Sequence, residues 1–300
     1  MPTTIEVCTS VSQFRSATDA ARSLGGGLGF VPTMGALHAG HLRLVEVAKR
    51  HAGRVSVSIF VNPTQFGPNE DFERYPRTLE RDVELLRGVG ADLVFAPPAD
   101  EIYPAGERTR VDVAGLADHL CGPFRPGHFQ GVATVVTKLL VAAGPCTAVF
   151  GRKDYQQLKI IERLARDLLL PVRVIGEPTV RDADGLALSS RNAYLKPDER
   201  ARALSIPRAL AAAAAAFDAG QRDASALIEP VRAALAAAGL RADYAEIADP
   251  DRLSPLEPGA HVGARALIAL AAFCGTTRLI DNLVLGEDAA PVVGSPPESS

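Results

Sequence analysis

Two histidines three residues apart, His38 and His41, lie among glycines in residues 30–41, FVPTMGALHAGH. Apolar Phe30 and Val31 precede them, and Leu42, Leu44, Val45 and Ala48 follow at helical spacing, so both histidines fall at or just before a helix start. A helix N-terminus presents unbonded backbone N–H groups and partial positive charge, which suits polyphosphate. Gly35 and Gly40 permit tight backbone and close ligand approach, and a spacing of three lets the imidazoles point the same way. For so short a motif, two solvated or core histidines at a helix end are the plain alternative.

Other segments offer groups of matching chemistry. Lys153 follows the apolar pair Val149-Phe150, where its ammonium can reach a phosphate crevice; a solvated surface lysine is the other reading. Ser189, Ser190 and Arg191 supply two hydroxyls and a guanidinium fork suited to phosphate oxygens, or form the polar tip of a hairpin. Gln65 and Gln157 are neutral amides able to hold hydroxyls or a carboxylate without adding charge, and are otherwise ordinary exposed glutamines. The distinction matters where a carboxylate must attack phosphorus. An arginine clamp would stabilise that anion and blunt it, whereas amides orient it and leave it reactive. Asp82, with Glu80, offers hard oxygen ligands for a phosphate-bound Mg2+, or merely acids at a helix N-terminus. His51, His119 and His261 show no ligand spacing. No G-x-x-x-x-G-K-[ST] and no G-x-S-x-G occurs, which excludes a P-loop and a serine-hydrolase elbow.

These groups need a scaffold. Residues 55–61, VSVSIFV, read as a buried strand bounded by Gly53 and Asn62-Pro63. Thr78 is placed to cap a helix carrying Leu79, Val83, Leu86 and Val89 on one face, leading to a strand at 92–96. A helix at 132–143, a short strand at Val149-Phe150, a helix at 155–169 and a strand at 172–175 follow. Such alternation predicts an α/β fold, a doubly wound parallel sheet with ligands beyond the carboxyl ends of its strands. From residue 180 the pattern changes. Asp184-Gly185 marks a turn, and Pro197, Asp198 and Glu199 open a helix. Ala-rich helices fill 200–240, and strands are expected at 244–248, 265–273 and 279–285. The expected domains are therefore 1–179, a smaller α+β lid at 180–285, and a disordered tail at 286–300 rich in Pro, Ser and acids.

Composition narrows the class. Three hundred residues, 47% hydrophobic, can bury a substantial core, and a net charge of −3 gives no basic footprint for nucleic acid. Cys8, Cys121, Cys146 and Cys274 are scattered without a C-x-x-C pair, which argues against a zinc knuckle or disulfide framework. The N-terminal stretch lacks a leader pattern and no apolar run is long enough to span a membrane, so a cytoplasmic protein without membrane partners is expected.

Together, FVPTMGALHAGH, SIFVNPTQF, YPRT, RPGHFQGVATVVTKL, GRKDYQQL and PTVRDADGLALSSRNAYL closely resemble the pantoate–β-alanine ligase (pantothenate synthetase) family, in the family's order. The histidine block also resembles the HIGH signature of nucleotidyl-transferring Rossmann-like proteins. The resemblance implies ATP-dependent condensation of (R)-pantoate with β-alanine through a pantoyl adenylate, giving pantothenate, AMP and pyrophosphate, with Mg2+ and a homodimer. It implies ATP contacts from Met34, Gly35, Ala36, Leu37, His38, Ala39, Gly40 and His41, and from Gly151, Arg152, Lys153, Asp154, Val180, Leu188, Ser189, Ser190 and Arg191. His41, His38 and Lys153 would be catalytic, Gln65 and Gln157 would hold pantoate, and Gln65 would also lie near β-alanine. Three departures stand out: Arg152 replaces a common glutamate, Leu188 a common methionine, and Arg81 a common acid beside Asp82. The rival classes are a nucleotidyltransferase acting on a phosphorylated acceptor and a non-catalytic nucleotide sensor.

Overall fold

The computed structural model describes residues 5–68 and 70–293. The chain divides into two compact units. The first comprises residues up to Ala114 with Arg125–Arg152 and Gln157–Glu177; the second comprises Gly115–Phe124, Lys153–Gln156 and the residues from Pro178 onward.

Six parallel strands build the first unit: β1 (Glu6–Cys8), β2 (Leu28–Thr33), β3 (Arg54–Ile59), β4 (Leu93–Phe95), β5 (Cys146–Gly151) and β6 (Val172–Glu177). Their order is β1-β4-β3-β2-β5-β6, with α1 (Val11–Ser23), α2 (Ala39–His51), α3 (Leu79–Gly88), α4 (Ala99–Ile102), α5 (His128–Ala143) and α6 (Tyr155–Asp167) along the chain. β2 and β4 are buried at nearly every position, as strands covered on both faces must be. Alternation along the strands sorts the core. Val31, Val57, Val94 and Val149 join Val45 and Leu86 in an aliphatic cluster, while Phe30 and Phe95 point the other way. There Phe14 of α1 stacks on Phe95, 4.5 Å between ring centroids and 4° between planes. Because β2 lies between β3 and β5, the winding reverses between β2 and β5, and a doubly wound sheet opens its crevice at such a switch.

The second unit holds an antiparallel sheet, β7 (Arg241–Ala248), β8 (Ala266–Cys274) and β9 (Thr277–Leu285), with α7 (Pro197–Ala203), α8 (Ser205–Asp218) and α9 (Ala224–Ala237). Leu210, Phe217, Leu227, Val231, Ile268, Leu270 and Leu283 lie in one core. Small side chains on β8 leave it buried at all but one position.

Several details differ from the sequence expectations. β1 and α1 have no counterpart among them, although Ser10 and Gln13 form a capping box at the start of α1. α5 begins at His128, after Gly127 in the left-handed conformation, not at Val132. Thr78 precedes α3 but makes no capping bond; its hydroxyl donates to Asp82 instead. Within the segment expected to be a disordered tail, Asp288 accepts from the Val284 N–H at 2.8 Å and returns its own N–H to the Val284 carbonyl. Residues 294–300 lie outside the described residues.

Candidate active site

The corner after β2 is assembled by its own side chains. His38 is the N-cap of α2, and its Nδ1 accepts from the Gly40 N–H at 3.2 Å. His41, three residues on, accepts the His38 N–H at its own Nδ1, 3.3 Å. This is a capping box built from two imidazoles, with ring centroids 4.1 Å apart. Both Nδ1 atoms act as acceptors, so each neutral ring carries its proton on Nε2. The pair is thereby set up as two N–H donors at a helix N-terminus.

Asp82 holds the preceding loop. Its carboxylate, 1% exposed, accepts the N–H groups of Ala36 and Leu37 at 2.9 Å each and the Thr78 hydroxyl at 3.2 Å. The loop has to be gripped because Gly35 and Ala36 both take positive φ, +82° and +51°, costly for the alanine. A buried carboxylate already occupied by three donors does not fit a magnesium ligand, and no group of three or more His, Cys, Asp or Glu suited to a metal occurs among the described residues. Asp82 thus serves as an anchor for the loop.

Gln65 ends a 3-10 turn, Pro63–Gln65, packed on α5. The approach requires Gly131: a Cβ there would lie 2.3 Å from the Thr64 carbonyl oxygen. Asn62, 1% exposed, donates from Nδ2 to Gln65 Oε1 at 3.0 Å, and Gln65 Nε2 lies 3.1 Å from Met34 Sδ. The Gln65 carbonyl is held by His128 Nδ1 at 2.8 Å, and His128 Nε2 faces Arg125 Nη1 at 2.9 Å. Arg125 in turn forks onto Glu70 at 2.7 and 2.5 Å. Burial acts to raise the Glu70 pKa, but hydrogen bonds and charge from Arg125 prevail and hold it below the ordinary value. From the sequence the segment from Arg125 to Phe129 reads only as a source of polar groups; its tie to Glu70, 55 residues away in the chain, leaves no local signal. Arg152 places its stem against β6, where a Cβ on Gly176 would meet Arg152 Cγ at 3.2 Å.

In the second unit, Lys153 and Asp154 lie in a 3-10 turn just before α6. Asn282 of β9 donates to the Lys153 carbonyl at 2.7 Å. Burial pushes the Lys153 ammonium below the usual lysine pKa; Asp154 and Asp281 oppose the shift and Arg191 adds to it. The neighbouring glutamines divide their work. Buried Gln156 ties the loop at 115–121 through Leu116, His119 and Cys121, and Gln157 is half-buried on α6. Val180 and Leu188 face each other across the hairpin turning at Asp184-Gly185, the Leu188 N–H donating to the Val180 carbonyl at 3.0 Å. Ser189 caps the 3-10 turn Ser190–Tyr194 by accepting from the Arg191 N–H. Arg181 fixes this hairpin to β9 by a bidentate pair with Asp281, 2.7 and 2.9 Å, and Arg200 fixes it to α7 through Asp182 and Asp184. Arg181 stands inside the PTVRDADGLALSSRNAYL block, but its partner Asp281 and the neighbouring Asn282 stand in no motif.

The family model described as pantoate-beta-alanine ligase matches residues 6–284. The chain belongs to the pantoate-beta-alanine ligase family. It is 52% identical over 282 residues to a pantothenate synthetase of Moorella thermoacetica, covering 94% of this chain and 99% of that one. With the pantothenate synthetase of Myxococcus xanthus it shares 53% over 281 residues, 93% of this chain and 96% of that one. Among solved structures, a pantothenate synthetase from Thermus thermophilus aligns with a TM-score of 0.86 at 47% identity, covering 93% and 99% of the two chains. The ligase from Francisella tularensis, complexed with beta-gamma ATP and beta-alanine, aligns at 0.77 and 35% identity over 96% and 100%. Six parallel strands with a small antiparallel sheet are thus the family's fold as well as this chain's.

Proposed function

We infer that this chain joins (R)-pantoate to β-alanine using ATP, with release of AMP and pyrophosphate, as an acid–amine ligase of pantothenate biosynthesis. Membership of the family over residues 6–284 carries the reading, and the side chains supply a chemistry for it. In the first half-reaction a pantoate carboxylate oxygen attacks the α-phosphorus of ATP and the bond to pyrophosphate breaks. Charge builds on the phosphoryl oxygens and the leaving group. In this reading Nε2–H donors on His38 and His41, the N-terminus of α2 and the Lys153 ammonium would stabilise that charge. In the second half-reaction the β-alanine amine attacks the acyl carbonyl, loses a proton, and AMP departs. No covalent enzyme intermediate forms.

Gln65 and Gln157 orient pantoate without quenching its carboxylate. Gly151, Asp154, Val180, Leu188 and Ser189 to Arg191 complete the nucleotide contacts in this reading. A magnesium ion bound to the ATP phosphates would neutralise charge there, and Asp82, already engaged by the loop, would not be needed as its ligand. A homodimer accompanies the reading on family grounds; a monomeric mass by light scattering would remove it. Among the described residues no helix is long and apolar enough to cross a membrane, and Cys8, Cys121, Cys146 and Cys274 are buried thiols.

Following AMP formation tests the whole reading. AMP should appear only when pantoate, β-alanine and ATP are all present, and pyrophosphate should be released with pantoate and ATP alone. Transfer of the nucleotide to a phosphorylated acceptor, or ATP binding without turnover, would overturn it.

A further inference from the structure

We propose that Tyr103, outside every motif of the sequence, is a positioning residue that fixes which end of the Gln65 amide faces the substrate. Tyr103 caps the short helix α4, and its hydroxyl donates to Asn62 Oδ1 at 2.7 Å, the shortest bond that Asn62 makes. Asn62 Oδ1 also accepts the Thr64 N–H at 3.3 Å and the Thr64 hydroxyl at 2.9 Å. Its Nδ2 donates to the Gly131 carbonyl at 3.2 Å and to Gln65 Oε1 at 3.0 Å. The two backbone partners leave no ambiguity about this amide. A carbonyl only accepts and a backbone N–H only donates, so the end of Asn62 that faces Gln65 is its NH2.

Gln65 must then turn its oxygen inward and present Nε2–H2 outward, toward the weak acceptor Met34 Sδ. A group presented in that way recognises an oxygen acceptor, a carboxylate or hydroxyl oxygen of pantoate. It cannot accept from the ammonium of β-alanine. The bonds to the Thr64 N–H and the Gly131 carbonyl are long; the two short ones on Oδ1 come from the Thr64 hydroxyl and from Tyr103, whose own hydroxyl lies 3.1 Å from that of Thr64, so Tyr103 holds both from outside the turn. Tyr103 is itself held from α5: the Lys138 ammonium lies 4.3 Å over its ring and donates to the Ile102 carbonyl at 2.7 Å and to Glu107 at 2.9 Å.

The proposal rests on Gln65 meeting pantoate, and the test separates the two claims. Steady-state constants for all three substrates are measured on the full chain for Tyr103→Phe, Gln65→Ala and the double variant, with unfolding midpoints. Tyr103→Phe should raise the pantoate KM about five- to tenfold, the size of one hydrogen bond of ~1–1.4 kcal/mol, and leave the KM for ATP and β-alanine unchanged. On the Gln65→Ala background it should add nothing, since the amide it orients is gone. An unchanged pantoate KM in Tyr103→Phe while Gln65→Ala raises it would overturn the relay and spare Gln65. Full multiplication of the two effects would overturn it equally. No change in either single variant would remove Gln65 from the pantoate pocket and the relay with it. Should Tyr103→Phe fail to fold, Asn62→Asp provides the second measurement. A carboxylate there can only accept, so Gln65 must reverse, and an unchanged pantoate KM would again overturn the proposal.

Discussion

In the proposed reaction Lys153 is the group whose ionisation matters most, and its environment makes the sign of the expected pH response definite. With its pKa lowered by burial, the ammonium is lost as pH rises through a value below that of an ordinary lysine. The pantoate-dependent release of pyrophosphate should therefore decline on the alkaline side earlier than free lysine chemistry would dictate. Stability runs the opposite way. The unfolded chain holds that proton more tightly, so between the folded pKa and the ordinary lysine value the fold gains stability with rising pH. Rate and stability measured on one pH series should diverge there. Lys153→Met should lower the rate of adenylate formation about 10²–10³-fold and abolish both trends. A rate that keeps its alkaline limb in that variant would assign the limb to another group. The place of His38 and His41 at a helix start was legible from type and spacing. That they cap one another through Nδ1 was not, because a tautomer is set by hydrogen bonds and not by spacing.

At the scale of elements, the corner between β2 and α2 is held from α3, and the turn Pro63–Gln65 is held from α5. Asp82 illustrates what sequence leaves undivided: an acid at the start of a helix looks the same whether it faces a metal or a loop. Only the fold brings it against the N–H groups of Ala36 and Leu37, 46 and 45 residues away in the chain. Asp82→Ala would leave one buried and one part-buried donor without their acceptor, at about 1–3 kcal/mol for the buried one, and release a loop with Ala36 at positive φ. The expected result is a raised KM for ATP together with a lower denaturant midpoint, in the presence or absence of added Mg2+. A defect repaired by high Mg2+ would return Asp82 to the metal. Gly131→Ala tests the second hold. Its Cβ would meet backbone, which cannot swing aside, so about 1–3 kcal/mol of stability should be lost. The kinetic loss should fall on pantoate, since Gln65 moves with the turn. The strand and helix alternation that frames both holds was readable from periodicity. β1 and α1 escaped because a three-residue strand has no measurable period and because the only sign of α1 was its capping box.

On the scale of the molecule, one strand at the far end of the sequence organises a group of residues drawn from its middle. β9 holds Lys153 through Asn282 and holds the Val180–Leu188 hairpin through Asp281 and Arg181. Adjacent residues on a strand point to opposite faces, so consecutive positions can serve two partners. The sequence marked the Ser-Ser-Arg turn and the lysine as candidates for phosphate, yet the tie that fixes them comes from a stretch, 279–285, that reads only as a strand. Asp281 is 2% exposed and accepts both ends of the Arg181 guanidinium. Asp281→Ala would therefore leave a largely buried cation without its partner and cost roughly 3–5 kcal/mol, read as a fall in the denaturant midpoint. Replacing both partners, Arg181→Met with Asp281→Leu, removes the stranded charge and should recover much of that loss. Activity should not recover in parallel. If the pair serves only stability, the double replacement restores the rate of pyrophosphate release along with the fold. If it positions the hairpin for nucleotide, the midpoint returns while the ATP KM stays raised. The second outcome is expected, because a guanidinium fork fixes the direction of the hairpin in a way that packed methyl groups do not.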